Sequence, residues 1–268
     1  MEMSDVSLRT IIARPRPSIR SGLARDEAFV ARLLGFVDLT PADLQALRVV
    51  IETETKIEKR QDLVLDGYEF CKLCVVKDGF ATRYKLLRNG KRQIVNFVLP
   101  GDVVGLPGSF LGRAANSVIA ATEMSLQICS LDAFVALCYR RPKFGLVLSW
   151  LAVQEAASYA EHIIDVGRRT PIERLAHLLL ELHFRLLMVG RAEDFAFDLP
   201  FTQEMLSDAL GLSAPHLNRM LMKLRAEGLI TVSDRHVEFL DVKAMQMLAQ
   251  FQPPRPIRIP LPARSECD

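Results

Sequence analysis

Five glycines, Gly67, Gly79, Gly90, Gly101 and Gly112, follow one another at intervals of eleven or twelve residues. Four of them sit in evident turns: Asp66-Gly67, Asp78-Gly79, Asn89-Gly90 and Pro100-Gly101-Asp102. Asx-Gly pairs supply the positive φ that tight hairpins demand. The stretches between them, 70–76, 80–87 and 93–99, read as strands, and 117–128 supplies closing strands. Regular turn spacing of this kind implies an antiparallel sandwich or barrel.

The flanks have a different period. Residues 26–35 can form a short helix, and Thr40-Pro41-Ala42-Asp43 starts a second: a capping Thr, Pro at the first helical position, an acid in the first turn. Leu44, Leu47 and Val50 continue it. Leu131-Asp132-Ala133-Phe134 opens a short helix and Pro142 a long one. Along the long one Ala152, Ala156, Tyr159, Ile163 and Val166 alternate by four and three, the spacing of a coiled-coil seam, with Ser149 extending it upstream. Such a stripe serves either a partner helix or packing on the chain's own β-domain. Gly167-Arg168-Arg169 breaks the helix, and Thr170-Pro171-Ile172-Glu173 is a capping box that starts another. Leu175, Leu179, Leu182 and Leu186 form its buried row, and Gly190 ends it. Phe195, Phe197 and Leu199 alternate as a short strand.

Then comes helix, tight turn, helix and hairpin. Thr202 stands at a helix cap, followed by Met205, Leu206, Ala209 and Leu210 at helical spacing. Gly211-Leu212-Ser213 breaks that helix. Ser213 can cap the next, where Pro215 is tolerated because the first turn leaves its N–H groups unpaired. Leu217, Met220, Leu221 and Leu224 make the buried stripe, leaving His216, Asn218, Arg219 and Lys223 off it. Residues 229–240 read as a two-stranded wing with Arg235 at its tip, and 241–251 as a last helix.

Gly211-Leu212-Ser213, Leu217-Asn218-Arg219 and Leu224-Arg225-Ala226-Glu227-Gly228-Leu229-Ile230 resemble the DNA-binding half of the Crp/Fnr family of bacterial transcription regulators. The order of elements agrees over about residues 28–245. The resemblance implies an α+β chain with a jelly-roll β-barrel sensor domain, a long dimerisation helix and a winged helix-turn-helix domain. The expected organisation is a mobile basic arm over 1–25, a cyclic-nucleotide-binding-like β-domain over 26–140, a dimerisation helix over 141–167, a winged helix-turn-helix domain over 168–251 and a disordered tail over 252–268.

By that resemblance, Arg219 matches an arginine late in the family's motif, able to bond guanine O6 and N7, and Ser213 matches its small helix cap. The family's acidic base reader falls at Pro215, so His216 and Asn218 become the candidate replacements. Thr202, Gln203, Lys223 and Arg235 suit phosphate contacts, which position without specifying. Ala152, Ala156, Tyr159, Ile163 and Val166 become the dimer interface, with Gln154 and Glu161 beside it.

Nucleotide-binding members carry a Gly-Glu pair followed about ten residues on by Arg and a small hydroxyl residue. Here the segments are Val104-Gly105-Leu106 and Ala115-Asn116-Ser117-Val118: Glu has become Leu106 and no Arg falls at the phosphate position. The pattern disfavours cyclic AMP. Val104, Gly105, Leu106, Gly108, Ser109, Asn116 and Ser117 remain candidates to line a pocket for a less charged effector of unknown identity.

Cys71 and Cys74 invite an alternative, a redox or metal-sensing regulator on the same scaffold. Residues three apart on a strand face opposite ways, however, and no nearby His completes a metal set. The five cysteines, an odd number, do not form a disulfide framework. No cofactor or metal is expected. Neither a G-x-S-x-G elbow, a phosphate-cradling loop nor an HExxH helix is present, so no enzyme is expected. Net charge is only +2, so contact with nucleic acid has to come from local clustering. Ile11-Ile12-Ala13 is too short for a signal peptide, and Gln154 and Glu155 interrupt the most apolar stretch, 144–160. The expectation is a cytoplasmic homodimer that reads a near-palindromic operator on double-stranded DNA, with RNA polymerase as a further partner and no membrane contact.

Overall fold

A computed structural model describes residues 27–106 and 108–254. The basic arm expected over 1–25 and the tail beyond 254 lie outside the described residues. The chain begins with helices α1 (Ala28–Leu34) and α2 (Pro41–Val50). Eight strands follow: β1 (Thr53–Ile57), β2 (Asp62–Val64), β3 (Lys72–Asp78), β4 (Ala81–Leu86), β5 (Arg92–Val98), β6 (Val103–Val104), β7 (Ser117–Ala120) and β8 (Met124–Ser130). A one-turn helix α3 (Gly108–Leu111) interrupts them. They form two four-stranded sheets, ordered β1-β8-β3-β6 and β2-β7-β4-β5, with antiparallel pairing. The expected barrel is thus a jelly-roll sandwich, whose two sheets share no backbone ladder among the described residues.

The period-two alternation of β3 explains its place. Cys74 and Val76 point into the sandwich with Val64, Ala81, Val98, Val118, Met124 and Leu126. Leu73 and Val75 point outward and are covered by Phe29 and Leu33 of α1, Leu47 and Val50 of α2, and by α4 (Leu131–Arg140) and the start of α5 (Lys143–Gly167). The glycine turns do what their spacing requires. Gly79 has φ +86°, and a Cβ there would lie 2.3 Å from Glu123 O; Gly105 has φ +118°, and its Cβ would lie 2.3 Å from Lys72 O. One expectation shifts: β3 starts at Lys72 rather than 70. The chain before it is drawn aside by the Ala114 N–H to Tyr68 O bond and the Glu69–Arg113 bridge.

The capping box of α2 has a second task. Thr40 Oγ1 accepts from the Asp43 N–H, and Asp43 Oδ2 accepts from the Thr40 N–H at 2.9 Å. Asp43 is 1% exposed and also binds Arg141 at 2.8 Å and Lys143 at 2.6 Å. A single carboxylate therefore pins α2 to the junction of α4 and α5.

The remainder is α6 (Pro171–Met188), β9 (Ala196–Asp198), α7 (Gln203–Leu210), α8 (Ala214–Ala226), β10 (Ile230–Ser233), β11 (His236–Phe239) and α9 (Val242–Ala249). The expected row Leu175, Leu179, Leu182 and Leu186 is buried along α6. Strands β10-β11-β9 form a small antiparallel sheet. This unit shares one apolar cluster with Ile94, Phe97 and Leu99 on the outer face of the second sheet. Among the described residues no helix is long and apolar enough to cross a membrane.

Two predictions follow from these local arrangements. Burial raises the pKa of Asp43, but hydrogen bonds from Lys143 and Thr40 outweigh it and hold the carboxyl at about 2. Its folded-state pKa lies below the ordinary 3.8, so its contribution is complete above that value and disappears as pH falls from 3.8 toward 2. Asp43→Asn should cost about 2 kcal/mol near neutral pH, and the cost should shrink as pH falls from 3.8 through about 2, read from urea titrations across pH. Gly105→Ala should lower the unfolding midpoint more than Gly90→Ala. Both glycines have positive φ, but nothing stands within 4 Å of a Cβ at Gly90. There only the left-handed backbone cost, about 1–2 kcal/mol, applies.

Candidate nucleic-acid interface

The helix-turn-helix is built by local rules. Thr202 Oγ1 accepts from the Met205 N–H at 3.2 Å and starts α7. Gly211, at φ +64°, ends it, and the Leu212 N–H closes on Ser207 O at 3.0 Å. Ser213 takes the cap position of α8 with extended backbone, but its side chain makes no capping bond; Pro215 in the first turn fixes the helix start instead. Leu217 and Leu224 are wholly buried, with Met220 and Leu221 packed beside them.

The opposite face of α8 is open. Asn218, Arg219 and Lys223 are exposed, and His216 is half-buried at the flank. Met222 stands 67% exposed in the middle of that face. Sequence reasoning passed over it; the signal was available, because position 222 falls between the exposed 218–219 and 226 on a helical wheel. A thioether there can meet a thymine methyl, as apolar side chains do in the major groove. Thr202 is half-buried and Gln203 exposed at the N-terminus of α7. The wing turn places Asp234 at φ +46° and Arg235 at φ +66°. Two consecutive positive φ values are those of the two-residue hairpin turn that suits twisted strands. Arg235 is thereby exposed at the tip, while its carbonyl accepts from the Leu199 N–H at 2.6 Å.

The helix-turn-helix is docked on the sandwich. Arg92 of β5 pairs with Asp208 of α7 at 2.7 Å and with Glu204 at 3.6 Å. Gln93 Nε2 donates to Ala209 O at 3.1 Å. Phe201 stacks at a tilt on Phe97, 4.4 Å between centroids, and meets Phe80 edge-on at 5.7 Å. The α5–α6 junction is also braced. Buried Asp165 pairs with Arg169 at 2.7 Å and with His177 at 3.2 Å, and Arg169 reaches Glu161 at 2.8 Å.

On α5 the exposed apolar positions include Leu146, Val153, Ile163, Ile164 and Val166. Ala152 and Ala156 are exposed as well. Tyr159 differs from the other seam residues expected at this place. Its hydroxyl donates to Glu155 at 3.0 Å and accepts from Asn116 Nδ2 at 3.4 Å, so it faces its own β-domain. The open stripe therefore lies nearer Val153, Ala160 and Ile164 than Tyr159.

The effector residues do not converge on one space. Val104 points into the sandwich, whereas Leu106 packs among the helices outside it. Ser109 Oγ donates to Lys72 O at 2.6 Å, and Ser117 Oγ accepts from the Asp66 N–H at 3.0 Å. Gly105 and Gly108 pack against backbone, and Asn116 is engaged by Tyr159. A cation does enter this region, from an unexpected strand: Arg83 of β4 pairs with Glu155 and donates to Val103 O at 2.7 Å. Its charge is already matched.

Cys71 lies exposed ahead of β3 and Cys74 is buried within it. Burial pushes the Cys74 thiol up to about 11, and the Cys129 thiol likewise, so neither is a ready thiolate. Among the described residues no group of three His, Cys, Asp or Glu side chains is placed to hold a metal.

Residues 173–248 match the Crp-like helix-turn-helix domain family, and residues 54–141 match the cyclic nucleotide-binding domain family. The nitrogen fixation regulation protein FixK of Bradyrhizobium diazoefficiens is 27% identical over 242 residues, 89% of this chain and 97% of that one. The transcriptional activatory protein AadR of Rhodopseudomonas palustris is 31% identical over 175 residues, 64% of this chain and 71% of that one. Among solved structures, FixK2 from Bradyrhizobium japonicum superposes with a TM-score of 0.67 at 25% identity, covering 73% of this chain and 96% of that one.

The docking contacts generate a test. Asp208→Asn removes the charge that holds Arg92 while keeping the side-chain shape. Amide hydrogen exchange in α7 should then quicken by about tenfold, with exchange in β3 and β8 unchanged.

Proposed function

Given that the chain belongs to the Crp/Fnr family of transcription regulators, we propose that the outer face of α8 reads base edges in the DNA major groove. The protein is a DNA-binding transcription regulator with an N-terminal sensory domain, and not an enzyme. The observation that carries the finer reading is the two-sidedness of α8: Leu217 and Leu224 are fully buried while Asn218, Arg219 and Lys223 stand open. Arg219 is assigned guanine and Asn218 adenine, with Met222 in the middle of the contact and His216 at its flank. Thr202, Gln203, Lys223 and Arg235 take phosphates, and Ser213 marks the helix start.

Regulators of this family bind DNA and act as dimers. The dimer contact is assigned to α5, residues 143–167, between the β-domain of 26–140 and the DNA-binding domain of 168–251. Two copies of α8 then meet successive major grooves about 34 Å apart, on a near-palindromic operator. An effector acts by population shift, biasing the braced junction at 165–170 between placements that match this spacing and placements that do not. The site is cytoplasmic, and RNA polymerase is the further partner.

The test starts from selection of bound duplexes out of a random pool, using the purified chain. An enriched inverted repeat is expected. Arg219→Ala should then cost about 1–3 kcal/mol on the selected sequence and relax preference at one base pair per half-site. Lys223→Ala should weaken all sequences alike and lower the salt slope by about one unit. Equal losses on selected and scrambled DNA for Arg219→Ala would refute the base-reading assignment.

A further inference from the structure

A cavity of about 550 Å³ lies outside the β-sandwich, between the sensory and DNA-binding halves. Its walls come from α1, β5, α5, α6 and the segment after α9. That volume falls in the range of small-molecule sites, about 300–1,000 Å³. It is not the pocket expected inside the sandwich: of the residues named for that pocket, only Leu106 reaches it, from the outer side.

The chemistry of the walls is divided. One part is apolar and aromatic, with Trp150, Phe184 and Met188. Trp150 is fixed in place by Phe36, stacked at 4.6 Å. The other part holds three guanidinium groups, Arg32, Arg83 and Arg185, around buried Asp102. The carboxylates on the walls are committed. Glu155 holds Arg83, Glu181 holds Arg185 at 3.2 Å and Ser158, and Glu161 holds Arg169. Arg32 is the least matched of the three arginines. It shares Asp102 with Arg185, which binds the same carboxylate at 2.5 Å. It lies 5.7 Å over the Trp150 ring and keeps 21% of its side chain accessible. Burial, with repulsion from Arg185 and Arg83 added, outweighs Asp102 and lowers its pKa from the ordinary value. A further acceptor carrying negative charge would offset that imbalance, and guanidinium groups suit planar carboxylates.

We propose that this cavity is a binding site for an amphipathic organic carboxylate, its acid group on Arg32 and its apolar body against Trp150, Phe184 and Met188. An occupant touches both halves of the chain, so its affinity is linked to their relative placement. The site needs neither DNA nor a particular operator, and it is tested without either.

The experiment uses the full chain and a fluorescent amphipathic anion, anilinonaphthalene sulfonate, displaced by octanoate, octanol or octylammonium. Octanoate should displace the probe about tenfold more effectively than octanol, and octylammonium should be the poorest. Arg32→Met should abolish the advantage of octanoate over octanol. Because Arg32 also ties α1 to Asp102, a second variant leaves the charges intact: Met188→Trp fills the space from α6, away from the exposed stripe of α5, and should remove probe binding while thermal unfolding persists. Equal displacement by octanol and octanoate would overturn the assignment. So would probe binding that survives Met188→Trp, or a native protein that does not bind the probe at all.

Discussion

Asp102 is the carboxylate on which the two halves of the molecule converge. Its Oδ2 accepts from the Leu99 N–H at 2.8 Å and so fixes the turn between β5 and β6. The same oxygen accepts from Arg185 of α6, and Oδ1 takes Arg32 of α1. Burial opposes its charge, yet Arg185 and then Arg32 hold its pKa below the ordinary value. Arg185 carries the link on to Phe97 O at 2.9 Å and Asn96 at 3.2 Å. Removing one member of such a network leaves a buried charge uncompensated, at about 3–5 kcal/mol, more than most single contacts contribute. The first helix, the sensory sheet and the DNA-binding unit therefore share one electrostatic centre, while one apolar cluster joins the sheet to the DNA-binding unit.

Around that centre the docking is layered. Phe201 enters between Phe80 and Phe97, and Arg92 and Gln93 hold the C-terminal turn of α7. Arg174 reaches from α6 to Leu210 O at 3.1 Å and to Arg169 O at 2.8 Å, so the helix-turn-helix is tied to the α5–α6 junction as well. Movement of α8 relative to α5 has to pass through these bonds, because the unit they hold is packed too tightly to deform smoothly.

Much of this was readable in the sequence where chemistry is local. The Asx-Gly turns, the Thr40 and Thr170 caps, the Gly211 stop and the row Leu175 to Leu186 each follow from neighbours a few residues away. What escaped reading depends on distant partners. Asp43 looks like a first-turn acid, and nothing nearby shows that Arg141 and Lys143 meet it. Arg83 looks like an exposed strand arginine until Glu155 closes on it. The α5 seam departs from expectation at Tyr159 for a different reason. Alanines at 152, 156, 157 and 160 spread apolar character around the helix, so the four-three pattern fits more than one stripe. The hydroxyl of Tyr159, turned to Asn116 and Glu155, and the buried side chains of Phe144, Val147 and Leu151 show which side faces inward. At the interface the buried stripe of α8 was legible, but Met222 was not singled out, since sequence rules rank polar residues first on an open face.

The wing tip sets local comfort against surface chemistry. Asp234 and Arg235 both hold backbone angles that glycine or asparagine would adopt with less strain. Substitution chosen for heat resistance alone would drift toward Asn-Gly there. It would yield a sturdier hairpin without the one cation the turn now holds out beyond the sheet.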